Sequence, residues 1–262
     1  MQKHSQKDAH MSEPDLSELH ESLLEMLVFF DHVAQETAVP YTLAYGTALG
    51  AVRESGFIKW DGDADLAVLA TDLPKLLDSL REACTGTNWT VVDQSSDDTY
   101  ELLFPRLASS VDGHYSTHID IFPFAGTPTT AIGRRCFRFM TKAAFKTHYY
   151  KNLPLDAPDR KYSSFKKFAG RMIKIALFPI PSALCKWQYN RLAVRHPANK
   201  SGFVHNIGGS YGSRETIPVE WVIDQKYVAF EGKSLPVPHD AHAYLTQIYG
   251  DYLTPRQSSY LS

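Results

Sequence analysis

Two aspartates, Asp63 and Asp65, are the residues whose type and spacing point most directly to chemistry. They begin a segment, 63–69, whose apolar residues alternate as in a β-strand. Side chains two positions apart on a strand project from the same face, so both carboxylates would lie on one side of a sheet. Close carboxylates repel each other unless a cation lies between them. Because carboxylate oxygens suit hard divalent ions, we expect Mg²⁺ or Mn²⁺ as the cofactor.

Asp120 is expected to complete this group. It interrupts the apolar strand predicted for residues 117–123, where a charge is costly unless it is paired or bound to metal. If this strand lies beside 63–69, then Asp63, Asp65 and Asp120 face one site, and we assign all three as catalytic and metal-binding residues. His118 shares the face of Asp120 and could orient it or carry a proton; a packed structural histidine is the alternative.

A Gly46-Thr47 turn precedes the aspartates, after a strand predicted for residues 41–45. Glycine allows close backbone approach, and the amides that follow it can donate to phosphate oxygens. Arg53 could hold a phosphate through its bidentate guanidinium. Asp61 could be a ligand, a supporting group or a solvated carboxylate. An ordinary turn and a surface arginine are the alternatives, but the order of Gly-Thr, Asp-x-Asp and a later Asp is the layout of the nucleotidyltransferase superfamily.

Longer motifs carry a more specific resemblance. Residues 46–53 read Gly-Thr-x-Leu-Gly-Ala-Val-Arg, and residues 56–65 read Gly-Phe-Ile-x-Trp-Asp-x-Asp-x-Asp. Together they resemble the signature of the LicD family, which includes bacterial phosphorylcholine transferases and is similar to the fukutin-related enzymes. Residues 118–123, 218–222 and 249–255 resemble later blocks of that family.

This resemblance covers about residues 16–256 and implies an activity. It implies transfer of a phosphorylated alcohol from a CDP-alcohol donor to a hydroxyl of a glycan or lipid-linked glycan, with release of CMP. It also implies that the three aspartates form the metal site and that Gly46, Thr47 and Arg53 hold the diphosphate. Gly62 and Ala64 depart from the family pattern without removing an expected ligand. Two alternatives stay open, a nucleotidyltransferase that adds NMP to a small molecule or protein, and a non-catalytic glycan-binding or scaffold protein.

Two further stretches could contact substrates or partners. Residues 206–215 are glycine-rich and polar, and Tyr211, Arg214 and Glu215 could line the cytidine or acceptor pocket; a surface loop is the alternative. Residues 160–178 combine lysines and arginines with an apolar stripe, which suits a helix lying on an anionic membrane. We favour the other interpretation, a helix packed on the core with a lysine-rich solvent face.

Composition sets wider limits. The formal charge of −2 over 262 residues gives no bulk attraction to nucleic acid, which we do not expect as a partner. Three separated cysteines and the absence of an apolar leader favour a cytoplasmic protein, with peripheral contact at the inner face of the membrane as an option. We predict an α+β fold in which helices flank a nucleotidyltransferase-like mixed sheet. The predicted parts are a disordered tail (1–11), a catalytic core (12–130), a helical region (131–200) and a C-terminal portion that completes the same domain (201–262).

Overall fold

The computed structural model describes residues 16–96, 100, 102–111, 114–153, 155 and 163–254. The predicted tail, 1–11, lies outside these residues. The predicted α+β class is confirmed, because a mixed sheet is flanked by helices. The helices are α1 (Ser17–Glu36), α2 (Tyr45–Arg53), α3 (Leu73–Ala83), α4 (Ala131–Asn152), α5 (Ser164–Leu177), α6 (Ser182–Ala193), α7 (Ala198–Ser201), α8 (Glu220–Ile223) and α9 (Ala241–Tyr249).

The main sheet has seven strands within the described residues. They are β1 (Tyr41–Leu43), β2 (Ala64–Leu69), β3 (Trp89–Val92), β4 (Arg106–Val111), β5 (His114–Gly126), β6 (Phe203–Asn206) and β7 (Thr216–Pro218). The order is β1-β2-β5-β4-β3, with β6 paired to the end of β5 and β7 paired to β6. Only β2 and β5 run parallel among these pairs. Strands β8 (Lys226–Phe230) and β9 (Lys233–Val237) form a separate hairpin.

The core explains why these elements form. Apolar residues recur at helical spacing along α1, and Leu23, Met26 and Phe30 on that face are fully buried. They belong to the same cluster as Leu66 of β2 and Ile119 of β5. Each fully buried apolar side chain of this size contributes roughly 1.5–3 kcal/mol. The central strands are therefore held firmly at the point where the carboxylates of the predicted site are attached.

Two predicted strand boundaries are wrong. The apolar composition of residues 100–107 predicts a strand over that range, but β4 begins only at Arg106. Pro105 has no N–H to give to a sheet; its carbonyl oxygen instead accepts from the amide of Ile121 at 3.0 Å. The predicted strand 41–45 ends at Leu43, because α2 begins at Tyr45, whose φ of +44° is incompatible with a strand.

The favoured interpretation of residues 160–178 is also wrong. Residues 160–162 lie outside the described part of the chain, and α5 forms as predicted from Ser164. Yet none of the side chains described in α5 is fully buried, so this helix is not packed into the core. No single helix among the described residues is long and apolar enough to cross a bilayer. The stretches Phe165–Leu177 and Ser182–Ala193 meet that requirement only as a pair, which is bent by 83°.

Candidate active site

The register between β2 and β5 brings two of the predicted aspartates side by side. These strands run parallel, and Asp65 lies directly opposite Asp120. Asp63 comes immediately before β2, two residues from Asp65. The arrangement expected from the sequence, with carboxylates of separate segments on one face of the sheet, is thus what the structure contains.

Four carboxylates converge at this point. The pKa of Asp65 is raised well above its ordinary value, first by burial and then by the negative charges of Asp63, Asp120 and Asp61. Burial and the charge of Asp63 also raise the pKa of Asp61, to about 7, and the two side chains share a hydrogen bond. The cluster is therefore strongly electronegative, and binding a cation would relieve its internal repulsion.

Arg106 of β4 is the one cation seen in contact with the cluster, within the described residues. It lies opposite Asp120 in the antiparallel register and donates from Nε to Oδ1 at 2.5 Å and from Nη2 to Oδ2 at 3.3 Å. Asp120 is almost fully buried, so this bidentate pair compensates for the loss of its hydration. His118 Nε2 lies 3.8 Å from Oδ1 of Asp120. Burial, followed by the charge of Arg106, lowers the pKa of His118, which favours a neutral imidazole.

The donor set fits a hard divalent cation in its chemistry. Carboxylate oxygens are the ligands that Mg²⁺ and Mn²⁺ prefer, and four carboxylates outnumber the one arginine. In this conformation, however, the described residues contain no group of three or more His, Cys, Asp or Glu side chains with the geometry of a metal centre. Both oxygens of Asp120 are already engaged by Arg106. Metal ligation would therefore require these side chains to rearrange.

The Gly-Thr motif contacts the carboxylate cluster at Asp61 and Asp65. A β-carbon at Gly46 would lie 2.4 Å from Oδ2 of Asp61, so only glycine leaves room for that carboxylate. Thr47 is buried, and its hydroxyl accepts the amide N–H of Asp65 at 2.8 Å. His20 of α1 donates from Nε2 to the carbonyl of Asp61 at 2.7 Å. Thr47 thus positions the aspartate strand in this structure, a function that the sequence analysis did not anticipate.

A cavity of about 790 Å³ opens over the carboxylates. This volume is within the usual range for a small-molecule site. Asp61, Asp65 and Asp120 lie in its wall, together with Glu215 and Lys146. Much of the remaining lining is aromatic, contributed by Tyr45, Trp60, Phe104, Phe122, Phe145, Tyr149, Tyr150, Tyr211 and Tyr249. The cavity is therefore acidic at the aspartate cluster and at Glu215, and its remaining wall is largely aromatic.

Tyr45 connects the two ends of the chain across this cavity. Its hydroxyl donates to Oε1 of Glu215 at 2.8 Å and accepts from Asn206 Nδ2 at 2.6 Å. Its amide donates to the hydroxyl of Tyr244 at 3.2 Å, and its ring stacks on Tyr211 with the centroids 5.5 Å apart. A non-glycine residue at positive φ is sterically disfavoured, and these contacts hold Tyr45 in that conformation.

Glu215 is the second acidic point of the cavity. It is 1% exposed, and its Oε2 has no hydrogen-bond partner among the described residues. Burial raises its pKa to about 7, against the opposing effect of the Tyr45 hydroxyl. A β-carbon at Gly209 would lie 1.7 Å from Oε1 of Glu215, so the glycine-rich segment is shaped around this carboxylate. A buried carboxylate with an unpartnered oxygen in a cavity wall is suited to binding a cationic ligand.

Two arginines were predicted to bind substrate, Arg53 and Arg214. Neither lies in the cavity wall formed by the described residues. Arg53 pairs with its neighbour Glu54, Nη2 to Oε1 at 2.5 Å. Arg214 donates to the carbonyl of Ile248 at 3.0 Å, which ties the turn Gly212–Glu215 to α9. Tyr211 and Glu215, from the same glycine-rich segment, do line the cavity.

Several residues that shape the site are not predicted from the sequence. For Tyr45 the available signal is its position next to the Gly-Thr motif. Arg106 follows a proline that ends an irregular apolar run, a signal that its strand begins there. Lys146 is one of several basic residues of α4, and no sequence signal distinguishes it from them.

Comparisons with known proteins agree with the motifs. The sequence model of the LicD/FKTN/FKRP nucleotidyltransferase domain matches residues 38–157. The matched residues are thus similar to the LicD family. The resemblance inferred from the motifs is thereby confirmed. The lipopolysaccharide cholinephosphotransferase LicD of Haemophilus influenzae (strain ATCC 51907 / DSM 11121 / KW20 / Rd) is 23% identical over an alignment of 250 residues that covers 88% of each chain.

The segment matched by the family model, 38–157, contains the four clustered carboxylates, Arg106 and Lys146. The remaining wall comes from residues beyond it, notably Glu215, Tyr211 and Tyr249. The cavity is therefore built by the matched segment together with the C-terminal part of the chain.

Proposed function

We propose that this protein is a metal-dependent phosphotransferase. It moves a phospho-alcohol from a CDP-alcohol donor to a hydroxyl of a glycan, with release of CMP. The observation that carries the proposal is the convergence of Asp61, Asp63, Asp65 and Asp120 in and beside the wall of a cavity large enough for a nucleotide. The match of residues 38–157 to the LicD family model and the activity named for the H. influenzae relative support it.

In this proposal Asp63, Asp65 and Asp120 hold Mg²⁺ or Mn²⁺. Such an ion neutralises diphosphate charge and makes a bound hydroxyl more acidic. Lys146, in the same cavity wall, contributes a positive charge toward the diphosphate. A new bond forms between the acceptor oxygen and the phosphorus that bears the alcohol, the bond from that phosphorus to CMP breaks, and the hydroxyl proton passes to a carboxylate of the cluster. Arg106 orients Asp120 from the neighbouring strand β4.

The aromatic lining and Glu215 favour choline as the alcohol. A quaternary ammonium is attracted to aromatic ring faces, and a nearby carboxylate adds to that attraction. Tyr211 packs between Tyr45 and Tyr249 at the cavity wall, where Glu215 is also placed. Ribitol or glycerol would instead need several hydroxyl partners, which an apolar lining offers less well.

A panel of donors tests the proposal. The protein is incubated with CDP-choline, CDP-glycerol or CDP-ribitol and Mg²⁺, with and without glycan acceptors, and CMP release is measured. We expect acceptor-dependent release that is fastest with CDP-choline and absent in EDTA. An NMP adduct formed from a nucleoside triphosphate would replace the proposal with the nucleotidyltransferase alternative. Failure to bind any CDP-alcohol by calorimetry would favour a non-catalytic protein.

Glu215→Gln is expected to raise KM for CDP-choline about tenfold, because the amide retains the shape of the carboxylate but loses its attraction for the ammonium. With a pKa of about 7, Glu215 becomes neutral as the pH falls, so wild-type KM for CDP-choline should rise below about pH 7. Tyr45, the backbone of Tyr211 and Gly212, and Lys142 surround this carboxylate.

The ratio of KM for CDP-choline to KM for the uncharged alcohol CDP-glycerol isolates this effect from other titrating groups. It should depend on pH in the wild type and be flat in Glu215→Gln. Glu220→Gln makes the same chemical change on exposed helix α8 and is the control. A ratio that titrates equally in both variants would exclude Glu215 as the ammonium partner.

We further propose that the acceptor is a glycan carried on a lipid, and that the protein acts at the inner face of a membrane. The H. influenzae relative is named for lipopolysaccharide, a glycan attached to lipid, which supports this acceptor class. The absence of a nucleic-acid partner stays a prediction.

A further inference from the structure

The charge of −2 conceals a strong segregation along the chain. Residues 131–200 contain 16 of the 27 Lys and Arg residues but only 2 of the 29 Asp and Glu residues. Their formal charge is +14, while the 11 basic and 27 acidic residues elsewhere give −16. This basic segment contains α4, α5 and α6, and no acidic residue occurs in any of these helices. The total charge of −2 therefore does not reveal the basic helical layer that α4, α5 and α6 form.

Helix α5 also exposes a continuous apolar stripe. Phe165, Phe168, Met172 and Ile175 are spaced for one helical face and are 79%, 63%, 50% and 65% exposed. Phe178, directly after the helix, is 82% exposed. Large aromatic side chains in such a row are unusual on the surface of a monomeric soluble protein and mark an interaction site. The same helix carries lysines and arginines beside and opposite the stripe, at positions 166, 167, 171 and 174.

We infer that α5 is a docking surface for an anionic lipid bilayer. The stripe would enter the interface between headgroups and acyl chains, while the cations of the same helix contact the headgroups. Charge complementarity identifies this partner, because the whole layer is basic and an anionic bilayer is its electrostatic counterpart. An apolar stripe of phenylalanine, methionine and isoleucine suits acyl chains better than the polar backbone of a nucleic acid.

A groove of about 440 Å³ lies between α5 and the catalytic cavity. It runs between α4 and α5, and Phe139, Ile173 and Leu177 form part of its apolar wall. Lys146 and Tyr150 line both the groove and the cavity. Docking on α5 would therefore bring the mouth of the cavity to the bilayer, where a lipid-linked acceptor is held. This last step alone rests on the proposed function.

Vesicle flotation of the full chain tests the docking surface. We expect co-flotation with phosphatidylglycerol-containing vesicles at least about tenfold stronger than with pure phosphatidylcholine, and weaker binding at high salt. The double variants Phe165→Ser/Phe168→Ser and Lys166→Glu/Lys174→Glu should each lose about tenfold or more in partitioning. Because these side chains lie on an exposed helix, circular dichroism and Tm should change little.

Matched variants on the β8–β9 hairpin control for non-specific effects. Lys226→Glu/Lys233→Glu makes the same change in charge, and Tyr227→Ser removes an exposed aromatic residue. Both should float like the wild type. The inference is overturned by wild-type protein that ignores anionic vesicles, by α5 variants that bind as well as wild type, by competition from RNA that removes the lipid preference, or by α5 variants that change only the oligomeric state.

Flotation contains no donor or acceptor, so its result is independent of the transferase reaction. Lipid binding without CMP release would leave the docking surface intact and contradict the proposed function alone. CMP release with a soluble acceptor, in a protein that does not float, would do the reverse.

Discussion

Asp65→Asn should lower turnover with CDP-choline by at least about 10²-fold while leaving the protein folded. Asp65 is the central member of the cluster, since Asp61, Asp63 and Asp120 all act on it. Neutralising it removes a ligand and a charge that the proposed metal site requires. Asp63→Asn should have a similar effect. CMP release measures activity, and thermal unfolding in EDTA measures stability.

The same substitution should raise stability in the absence of metal, because it relieves the repulsion among four close carboxylates. Mg²⁺ should then raise the Tm of the wild type but not that of the Asn variants. Asp224→Asn, at an exposed position directly after α8, provides the control and should change neither quantity. Full activity in both Asp63→Asn and Asp65→Asn would remove the basis of the catalytic assignment.

Arg106→Ala should destabilise the protein by about 3 kcal/mol, the usual cost of leaving a buried charge without its partner. Asp120 is 7% exposed, and each of its carboxylate oxygens accepts a hydrogen bond from this guanidinium. Urea unfolding, analysed with an unchanged m-value, measures the loss. Arg106→Ala/Asp120→Asn should recover part of it, because the stranded charge has then been removed.

Arg81→Ala provides the comparison for an exposed ion pair. Arg81 pairs with Asp78 and Asp93, but its side chain is 38% exposed, and such pairs contribute less than about 1 kcal/mol. If Arg81→Ala and Arg106→Ala reduce the free energy of unfolding equally, the Arg106–Asp120 pair stabilises the protein no more than an exposed ion pair does.

The sequence predicted the carboxylate pair because strand periodicity is a local property. Alternation in 63–69 placed Asp63 and Asp65 on one face, and the apolar surroundings of Asp120 predicted a second buried strand. Their pairing in the structure follows from these two local signals, since both strands must bury their apolar side chains in the same core.

The residues that the sequence did not reveal depend on distant parts of the chain. Tyr45 meets Asn206 and Glu215, which are 161 and 170 positions away. No periodicity near Tyr45 specifies these partners, because they are set by the packing of β6 and the following turn against α2. The contact of Arg106 with Asp120 likewise depends on the register of β4, which the apolar residues before Pro105 obscured.

Helix α5 shows a different limit of prediction from sequence. Its spacing predicted an amphipathic helix correctly, but amphipathicity specifies that a helix has an apolar face and not what covers that face. Core packing was the favoured interpretation, and the exposure of Phe165 and Phe168 contradicts it.

The reach of Tyr45 across the chain has a consequence for synthesis on the ribosome. The acidic residues emerge early, whereas Asn206, Glu215 and Tyr244 are translated last. A nascent polypeptide that has folded only its first half would therefore expose its aspartates, because the C-terminal part of the cavity wall is not yet present. The cavity wall is complete only after the C-terminal residues that line it have been synthesised.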